Sequence, residues 1–196
     1  MISIQTQIDA ATSILSEGGI VVFPTDTAFG IGCRVDNSSS IERLFRIRER
    51  PLTQATPVLV ADPKMALNYF MHPSADVVNL MAAYWPGALT IISTCDAEKV
   101  NALVRGGGDT IGLRMPKNDT ILSILSGVGL PILGPSANFH GKPTPYSFDA
   151  LDPELLKLVD YVVEGSCSVG LASTVVDCSV YPYTIVRQGT VHIVNL

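Results

Sequence analysis

Polar side chains that could bind a ligand follow apolar runs at several places in the sequence. The segment GPSANFHGKPTP (134–145) holds Ser136 and Asn138 between prolines and glycines, directly after the apolar run LPIL. The loop PTDTAFG (24–30) places two threonine hydroxyls and Asp26 just after the run IVVF. Each segment alone could be an ordinary turn with Asx and Ser/Thr hydrogen bonds. Several such segments in one chain indicate a cavity lined with polar groups.

Arginines are concentrated in one short stretch, which contains Arg34, Arg43, Arg46, Arg48 and Arg50. The formal net charge of the whole chain is −5. That value argues against binding along a nucleic-acid backbone, where basic surfaces dominate. A local arginine cluster in an acidic protein favours a small anionic ligand over a duplex. The alternative is that these arginines form a solvated helix face.

Two further arginines lie in predicted strands. Arg114 has apolar neighbours in GLRMP, and a buried arginine is rare unless its charge is paired. It therefore implies either a carboxylate ligand or a structural ion pair with an internal aspartate or glutamate. The segments ASTVVD (172–177) and IVRQG (185–189) place Ser173 and Arg187 in the same kind of position.

The sequence lacks the motifs of several common nucleotide-binding, catalytic and metal-binding sites. It has no P-loop, no G-x-G-x-x-G turn and no G-x-S-x-G around Ser136. A nucleotide would have to be held in some other way, and a serine nucleophile is not expected. The cysteines and histidines have no metal-binding spacing, so no metal cage is predicted. No apolar run reaches about 18 residues and the N-terminus does not resemble a secretory signal, which favours a cytoplasmic protein with reduced thiols.

The elements that would position these residues can be predicted from the spacing of apolar residues. Helices are expected at 4–15, 41–48, 63–70, 74–85, 121–125 and 149–159, with a serine of DNSSS as N-cap of the second. Strands are expected at 20–23, 57–61, 89–94, 110–115 and 130–133, and in YVVE, STVVDC, YTIVRQ and VHIV. Early alternation followed by crowded strands is typical of an α/β fold with a mixed sheet. The length predicts a single domain, residues 1–196.

The end of the second helix matters for the arginines. Pro51 disfavours helical geometry at Arg50, so the helix should end near Arg48. On a continuous helix Arg48 and Arg50 would point to nearly opposite sides. With the helix broken there, both can face one site. The glycine-rich segment RGGGD (105–109) is the candidate lid, on its glycine content alone.

Seven segments, taken in order, resemble the YrdC family of threonylcarbamoyl-AMP synthases, in its stand-alone form. They are PTDTAFGIGC, RIRERP, YWPGALTI, GLRMP, PSANFHGKPTP, ASTVVD and IVRQG. The resemblance implies an open, twisted mixed sheet with flanking helices around a concave, positively lined cavity. It also implies a nucleotidyltransferase that converts L-threonine, bicarbonate and ATP to threonylcarbamoyl-AMP and pyrophosphate. Partner proteins would then use this adenylate to modify an adenosine in tRNA, and direct tRNA binding is a further possibility.

The resemblance also implies which residues bind each substrate. The L-threonine side would consist of Thr27, Arg114, Ser136 and Ser173, with Arg114 on the carboxylate. The ATP side would consist of Arg48, Arg50, Thr110, Asn138, Tyr146 and Arg187. No catalytic side chain is assigned, because the carbamate oxygen is itself the nucleophile and catalysis is mostly positioning and charge stabilisation. Mg²⁺ is expected with the ATP, bridging its phosphates.

Several positions depart from the family pattern. Arg48 stands where lysine is usual, Gln54 where lysine is frequent, Ala55-Thr56 where Pro-Leu often follows, and Leu59 where many members have histidine. One alternative is therefore a non-catalytic, RNA-binding paralogue of the same fold, like the YciO branch. That branch generally lacks the S-x-N pair, so the presence of Ser136 and Asn138 favours the synthase. Another alternative is a carbamoyl-transfer accessory protein that ignores threonine.

Overall fold

The computed structural model describes residues 2–194 and contains two mixed β-sheets. In chain order the strands are β1 Val21–Phe23, β2 Gly30–Gly32, β3 Val58–Leu59, β4 Leu89–Thr94, β5 Thr110–Arg114, β6 Ile132–Leu133, β7 Tyr161–Val162, β8 Thr174–Asp177 and β9 Thr184–Arg187. The larger sheet has the order β6-β3-β5-β4-β8-β9, and the smaller has the order β2-β1-β7. Parallel pairs, such as β3 with β5 and β4 with β8, alternate with antiparallel ones. The predicted α/β fold with a mixed sheet is confirmed.

The helices are α1 Ile4–Ser16, α2 Ser38–Ile47, α3 Pro63–Leu67, α4 Ala75–Tyr84, α5 Ala102–Arg105, α6 Asp119–Val128 and α7 Pro153–Leu156, with a 3₁₀ turn at Phe148–Ala150. Polar side chains cap their N-termini and satisfy main-chain N–H groups that have no partner within the helix. The prediction of a serine cap on α2 is wrong. Asn37 caps this helix, since its Oδ1 accepts a hydrogen bond from the N–H of Ser40 at 3.0 Å.

Two predicted elements near the C-terminal end are wrong. A continuous helix over 149–159 does not form, because Pro153 restricts Asp152 to an extended conformation and a new short helix starts there. Residues 191–194 form no strand. Instead, the N–H and the carbonyl of Val191 both bond to the hydroxyl of Thr174, at 3.0 and 2.6 Å.

Side-chain alternation gives the larger sheet two different faces. Leu89 and Ile91 of β4 and Leu113 of β5 point into the main hydrophobic core. Thr90 and Arg114, which alternate with them, point to the opposite face. The pairing of Ile91 with Leu113 sets this register. One face of the sheet is therefore apolar and packed, while the central strands of the other carry groups that can bind a ligand.

Cys33 gives the fold a pH dependence at the alkaline end. Its thiol is fully buried, and burial raises its pKa from 9.0 to about 12. Between these values the unfolded thiol ionises and the native thiol does not, so the stability that Cys33 contributes is lost as pH rises. Replacing Cys33 with alanine should flatten the alkaline decline of the unfolding free energy by up to about 1.4 kcal/mol per pH unit. Urea unfolding from about pH 8 to about pH 10 measures this slope, and an unchanged slope would contradict it.

Membrane insertion through a long apolar helix finds no support in the described part of the chain. None of the helices within residues 2–194 has both the length and the hydropathy needed to cross a bilayer.

Candidate functional site

A cavity of about 190 Å³ lies on the polar face of the larger sheet. Four of its lining side chains are arginines: Arg48, Arg50, Arg114 and Arg187. Its hydroxyl groups come from Thr25, Thr27, Thr90, Ser136, Thr144 and Ser173. Guanidinium groups and hydroxyls together suit a ligand that carries both anionic and polar groups.

Two loops of the cavity wall lie side by side because their main chains pair. The N–H of Ala137 donates to the carbonyl of Phe29 at 2.8 Å, and Gly30 forms an isolated β-bridge with Ser136. The segment after β6 therefore runs antiparallel to the chain that enters β2. This pairing places Ser136 beside the loop that carries Thr27.

Arg114 is held on three sides at the end of β5. Its Nε donates to the carbonyl of Gly87 at 3.0 Å, and its Nη1 donates to Thr27 Oγ1 at 2.7 Å. Its Nη2 forms an ion pair with a carboxylate oxygen of Asp26. Burial lowers the pKa of the Arg114 guanidinium, and the neighbouring Asp26 charge opposes that shift. The predicted internal ion pair is therefore present, and because Arg114 also lines the cavity, the alternative of a carboxylate ligand stays a prediction.

Ser136 and Asn138 are joined to each other. The Ser136 hydroxyl donates to Asn138 Oδ1 at 2.6 Å, and Arg48 Nη2 donates to the same oxygen at 3.4 Å. Asn138 Nδ2 donates to the carbonyls of Phe139 and Lys142, at 3.0 and 2.6 Å. Asn138 is not among the cavity-lining residues. It lies behind the wall and supports Ser136 and Arg48.

Arg48 presents an unused donor. Its side chain is buried, and its Nε donates to the carbonyl of Asn138 at 3.1 Å. Its Nη1 is buried and has no hydrogen-bond partner among the residues that the structure describes. Burial, together with the positive charge of Arg50, lowers the pKa of the Arg48 guanidinium to about 10. A buried cation of this kind is stabilised when an anion binds beside it.

Arg50 reaches the same cavity from the chain that follows α2. The prediction that the broken helix lets Arg48 and Arg50 face one site is confirmed, since both line the cavity. The helix ends through Glu49, which adopts a positive φ of 54°. Arg50 donates to the carbonyls of Gln54 and Ala55, and burial lowers the pKa of its guanidinium.

Arg187, Ser173 and Thr90 form a chain of hydrogen bonds across β9, β8 and β4. Arg187 Nε donates to the carbonyl of Ser173 and its Nη2 donates to Ser173 Oγ, both at 3.0 Å. Ser173 Oγ lies 3.0 Å from Thr90 Oγ1. Sequence reasoning did not assign Thr90. The signal for it was the alternation in LTIIST, which places its hydroxyl on the face opposite the apolar core.

The cluster of arginines between positions 34 and 50 is divided in the fold. Arg34 pairs with Asp36 and Arg43 pairs with Asp160, each at 2.6 Å. Arg46 is exposed on α2. These residues neither join Arg48 and Arg50 at the cavity nor form one unpaired basic surface.

Besides Asn138, two more residues assigned to the ATP side do not line the cavity. Thr110 begins β5, whereas Arg114 ends it. At about 3.4 Å per residue the two positions are about 14 Å apart along the strand. Tyr146 lies just beyond the lining residue Thr144, and 37% of its surface is exposed.

Of the other positions noted in the sequence, Leu59 lies at the cavity wall, whereas Gln54 and the glycine-rich segment 105–109 do not line the cavity. Leu59, which departs from the family pattern, is buried at the cavity wall and packs against Gly134, where a side chain would collide with it. Gln54 lies in the exposed loop after α2. The glycine-rich segment 105–109 packs against that loop, through Gly106, and does not line the cavity.

Within residues 2–194, no three or more acidic, cysteine or histidine side chains are grouped so that they could hold a metal ion.

Comparison with known proteins connects the chain to one family. The family model for Sua5, YciO and YrdC proteins, described as "Telomere recombination", matches residues 13–189. The threonylcarbamoyl-AMP synthase of Bacillus subtilis is 31% identical over 184 residues, which make up 93% of this chain and 53% of that protein. The uncharacterized protein YciO of Escherichia coli is 29% identical over 190 residues, which make up 94% of this chain and 90% of that protein.

Solved structures show the same likeness. The crystal structure of Sua5 from Pyrococcus abyssi complexed with L-threonine has a TM-score of 0.90 at 28% identity. The match covers 96% of this chain and 55% of that one. The chain thus spans about half the length of this structure and of the B. subtilis relative.

Proposed function

The chain belongs to the Sua5/YciO/YrdC family, and we propose that it is an L-threonylcarbamoyladenylate synthase. The reaction would convert L-threonine, bicarbonate and ATP to threonylcarbamoyl-AMP and pyrophosphate, which makes it a nucleotidyltransferase. The observation that supports this most is the cavity with four arginines and a row of hydroxyls. Its charge suits the joining of a small carboxylate to a nucleotide phosphate, and at about 190 Å³ it would enclose the reacting groups while the rest of the nucleotide lies outside it.

We assign the threonine side to Arg114 and the hydroxyls around it. A guanidinium with two donors left for a ligand can bind a carboxylate bidentately. Thr27 is already bonded to Arg114 at 2.7 Å, so it lies where the rest of the amino acid would sit. Ser136 and Ser173 add hydroxyls to the lining of the same cavity.

We assign the ATP phosphates to Arg48, Arg50 and Arg187. The free Nη1 of Arg48 is the donor that best fits a phosphate oxygen, because it is buried without a partner among the described residues. Asn138 would act on ATP through Arg48. Thr110 and Tyr146 would have to meet parts of the nucleotide outside the cavity, on the same sheet face and at its rim.

The chemistry needs no protein nucleophile. The threonine amino group and bicarbonate give a carbamate, with loss of water. A carbamate oxygen then attacks the α-phosphorus of ATP, the bond from that phosphorus to the β-phosphate oxygen breaks, and pyrophosphate leaves. The arginines would hold the reacting groups together and stabilise the charge on the phosphates.

Mg²⁺ would enter with ATP. Among the described residues that line the cavity none carries a carboxylate, and Asp26, which lies between two lining threonines, is committed to Arg114, so the phosphate oxygens and water would hold the cation. Bound there, it would offset negative charge on the phosphates. We further infer that the enzyme works in the cytoplasm, where partner proteins would transfer the threonylcarbamoyl group to tRNA.

Threonine-dependent release of pyrophosphate tests the proposal. Purified protein with ATP, Mg²⁺, bicarbonate and L-threonine should release pyrophosphate, and omission of either threonine or bicarbonate should remove the signal. Release that ignores threonine would favour the carbamoyl-transfer alternative. No release, together with salt-sensitive binding to RNA, would favour the RNA-binding paralogue. The structure gives RNA binding little support, because Arg34 and Arg43 each form an ion pair with an aspartate and do not present an unpaired basic surface.

A further inference from the structure

Asp26 is a buried acidic residue that the functional assignments leave out. It lies between Thr25 and Thr27, which both line the cavity, but it does not line the cavity itself. Only 3% of its surface is exposed. Its carboxylate pairs with Arg114 Nη2. Burial of a carboxylate is costly unless its charge is met, so this pair defines the position of both residues.

The contacts of Arg114 show what Asp26 does for that side chain. A guanidinium has five N–H groups. Gly87, Thr27 and Asp26 each take one. One N–H is left on each terminal nitrogen, which is the number that a bidentate carboxylate requires. Without Asp26, the Nη2 side of the group would have no fixed partner and the planar fork could tilt.

The main chain of Asp26 adds a second connection. Its carbonyl accepts hydrogen bonds from the N–H of Val169 at 2.8 Å and from the Ser168 hydroxyl at 3.4 Å. These residues belong to the segment that leads into Ser173, another residue of the cavity wall. These hydrogen bonds hold the main chain of Asp26 in place independently of the contact between its carboxylate and Arg114. A fixed acceptor can orient a long side chain more effectively than a mobile one.

We propose that Asp26 is a positioning residue for the amino-acid substrate: it holds the Arg114 guanidinium so that the remaining two N–H groups face the substrate carboxylate. Asp26 does not touch the substrate. This inference rests on the proposed function, in particular on carboxylate binding at Arg114. Its effect is confined to the amino-acid side of the cavity, because Arg48 and Arg50 are held by different partners.

Two variants of Asp26 test the role. Asp26→Ala should raise the KM for L-threonine by about tenfold or more and leave the KM for ATP within about twofold. Asp26→Asn keeps an oxygen acceptor and loses the charge, so its KM for threonine should lie between those of the wild type and the alanine variant. If Asp26 only supports folding, both variants would reduce kcat through a smaller active fraction and leave both KM values unchanged. That result would overturn the proposal.

Asp36→Ala is the matched control, because Asp36 also pairs with an arginine but lies away from the cavity. It should leave both KM values at the wild-type level. A double-mutant cycle separates positioning from direct contact. The cycle is read from kcat/KM for L-threonine, which initial rates far below saturation give even where binding is too weak to titrate: in an Arg114→Ala background, loss of Asp26 should lower kcat/KM by less than about twofold, and a further tenfold loss there would show that Asp26 contacts the substrate itself.

Calorimetric titration with L-threonine separates failure of this inference from failure of the proposed function. If the wild-type protein does not bind L-threonine, with or without ATP, the proposed function fails. If it binds threonine and both Asp26 variants bind it equally well, only the positioning role fails. Should the alanine variant not fold, the asparagine variant decides the question, since an unchanged KM for threonine would contradict the role.

Discussion

Arg114→Ala is expected to abolish detectable threonine binding while ATP binding largely survives. Removal of a buried charged partner typically costs 2–5 kcal/mol of binding free energy, and a loss of about 3 kcal/mol corresponds to more than about 100-fold in affinity. Arg114 is buried at the cavity wall with two donors left for a ligand. Calorimetric titration with L-threonine and, separately, with ATP measures both affinities.

The control for this prediction must deal with the partner that Arg114 leaves behind. Loss of one member of a buried ion pair destabilises a protein by about 3–5 kcal/mol, because the other charge remains unpaired. The double variant Arg114→Ala with Asp26→Ala removes that charge, and it should fold better than the single variant and still fail to bind threonine. An equal loss of threonine and ATP binding in both variants would mean that Arg114 is structural.

Arg48→Ala is expected to produce the second large effect, on ATP. The variant should weaken ATP binding by about 100-fold, while threonine binding changes by less than about threefold. The physical reason is the buried, unpartnered Nη1, whose charge no described protein group meets. The same substitution removes the two hydrogen bonds that Arg48 donates to Asn138. Because Asn138 also holds the Ser136 hydroxyl, some loss of order around Ser136 is expected.

Two further variants serve as controls for the Arg48→Ala result. Arg46→Ala removes an exposed arginine two positions earlier on the same helix, and it should leave ATP binding unchanged. Arg48→Lys keeps the charge and three N–H donors at a position where lysine is usual in the family, so its affinity for ATP should stay well above that of the alanine variant. ATP binding that survives Arg48→Ala intact would remove Arg48 from the phosphate site.

Much of the site could be predicted because it depends on local patterns. The strand β4 was predicted with its observed bounds, and the polar segments after apolar runs do meet at one cavity. The same alternation that buries Leu113 turns Arg114 toward the opposite face. Such patterns record which side of a strand is apolar, and they do not depend on knowledge of the distant parts of the chain.

The partners of these residues could not be predicted in the same way. Arg114 and Asp26 are separated by 88 positions, and the sequence left open whether the arginine bound a ligand or an internal carboxylate. Asn138 was assigned to ATP, yet its amide is used by main-chain carbonyls and by Arg48 and Ser136. Long-range packing decides which donors remain free, and one sequence alone does not determine it.

The most direct test of the central claim is the identity of the product. The protein would be incubated with ATP, Mg²⁺, L-threonine and ¹³C-bicarbonate, and the nucleotides separated quickly and analysed by mass spectrometry. We expect an adduct of AMP and threonine joined through a carbamoyl carbon that carries the label from bicarbonate, formed together with pyrophosphate. Pyrophosphate without this labelled adduct, or a labelled derivative of AMP that forms equally well when threonine is omitted, would contradict the account.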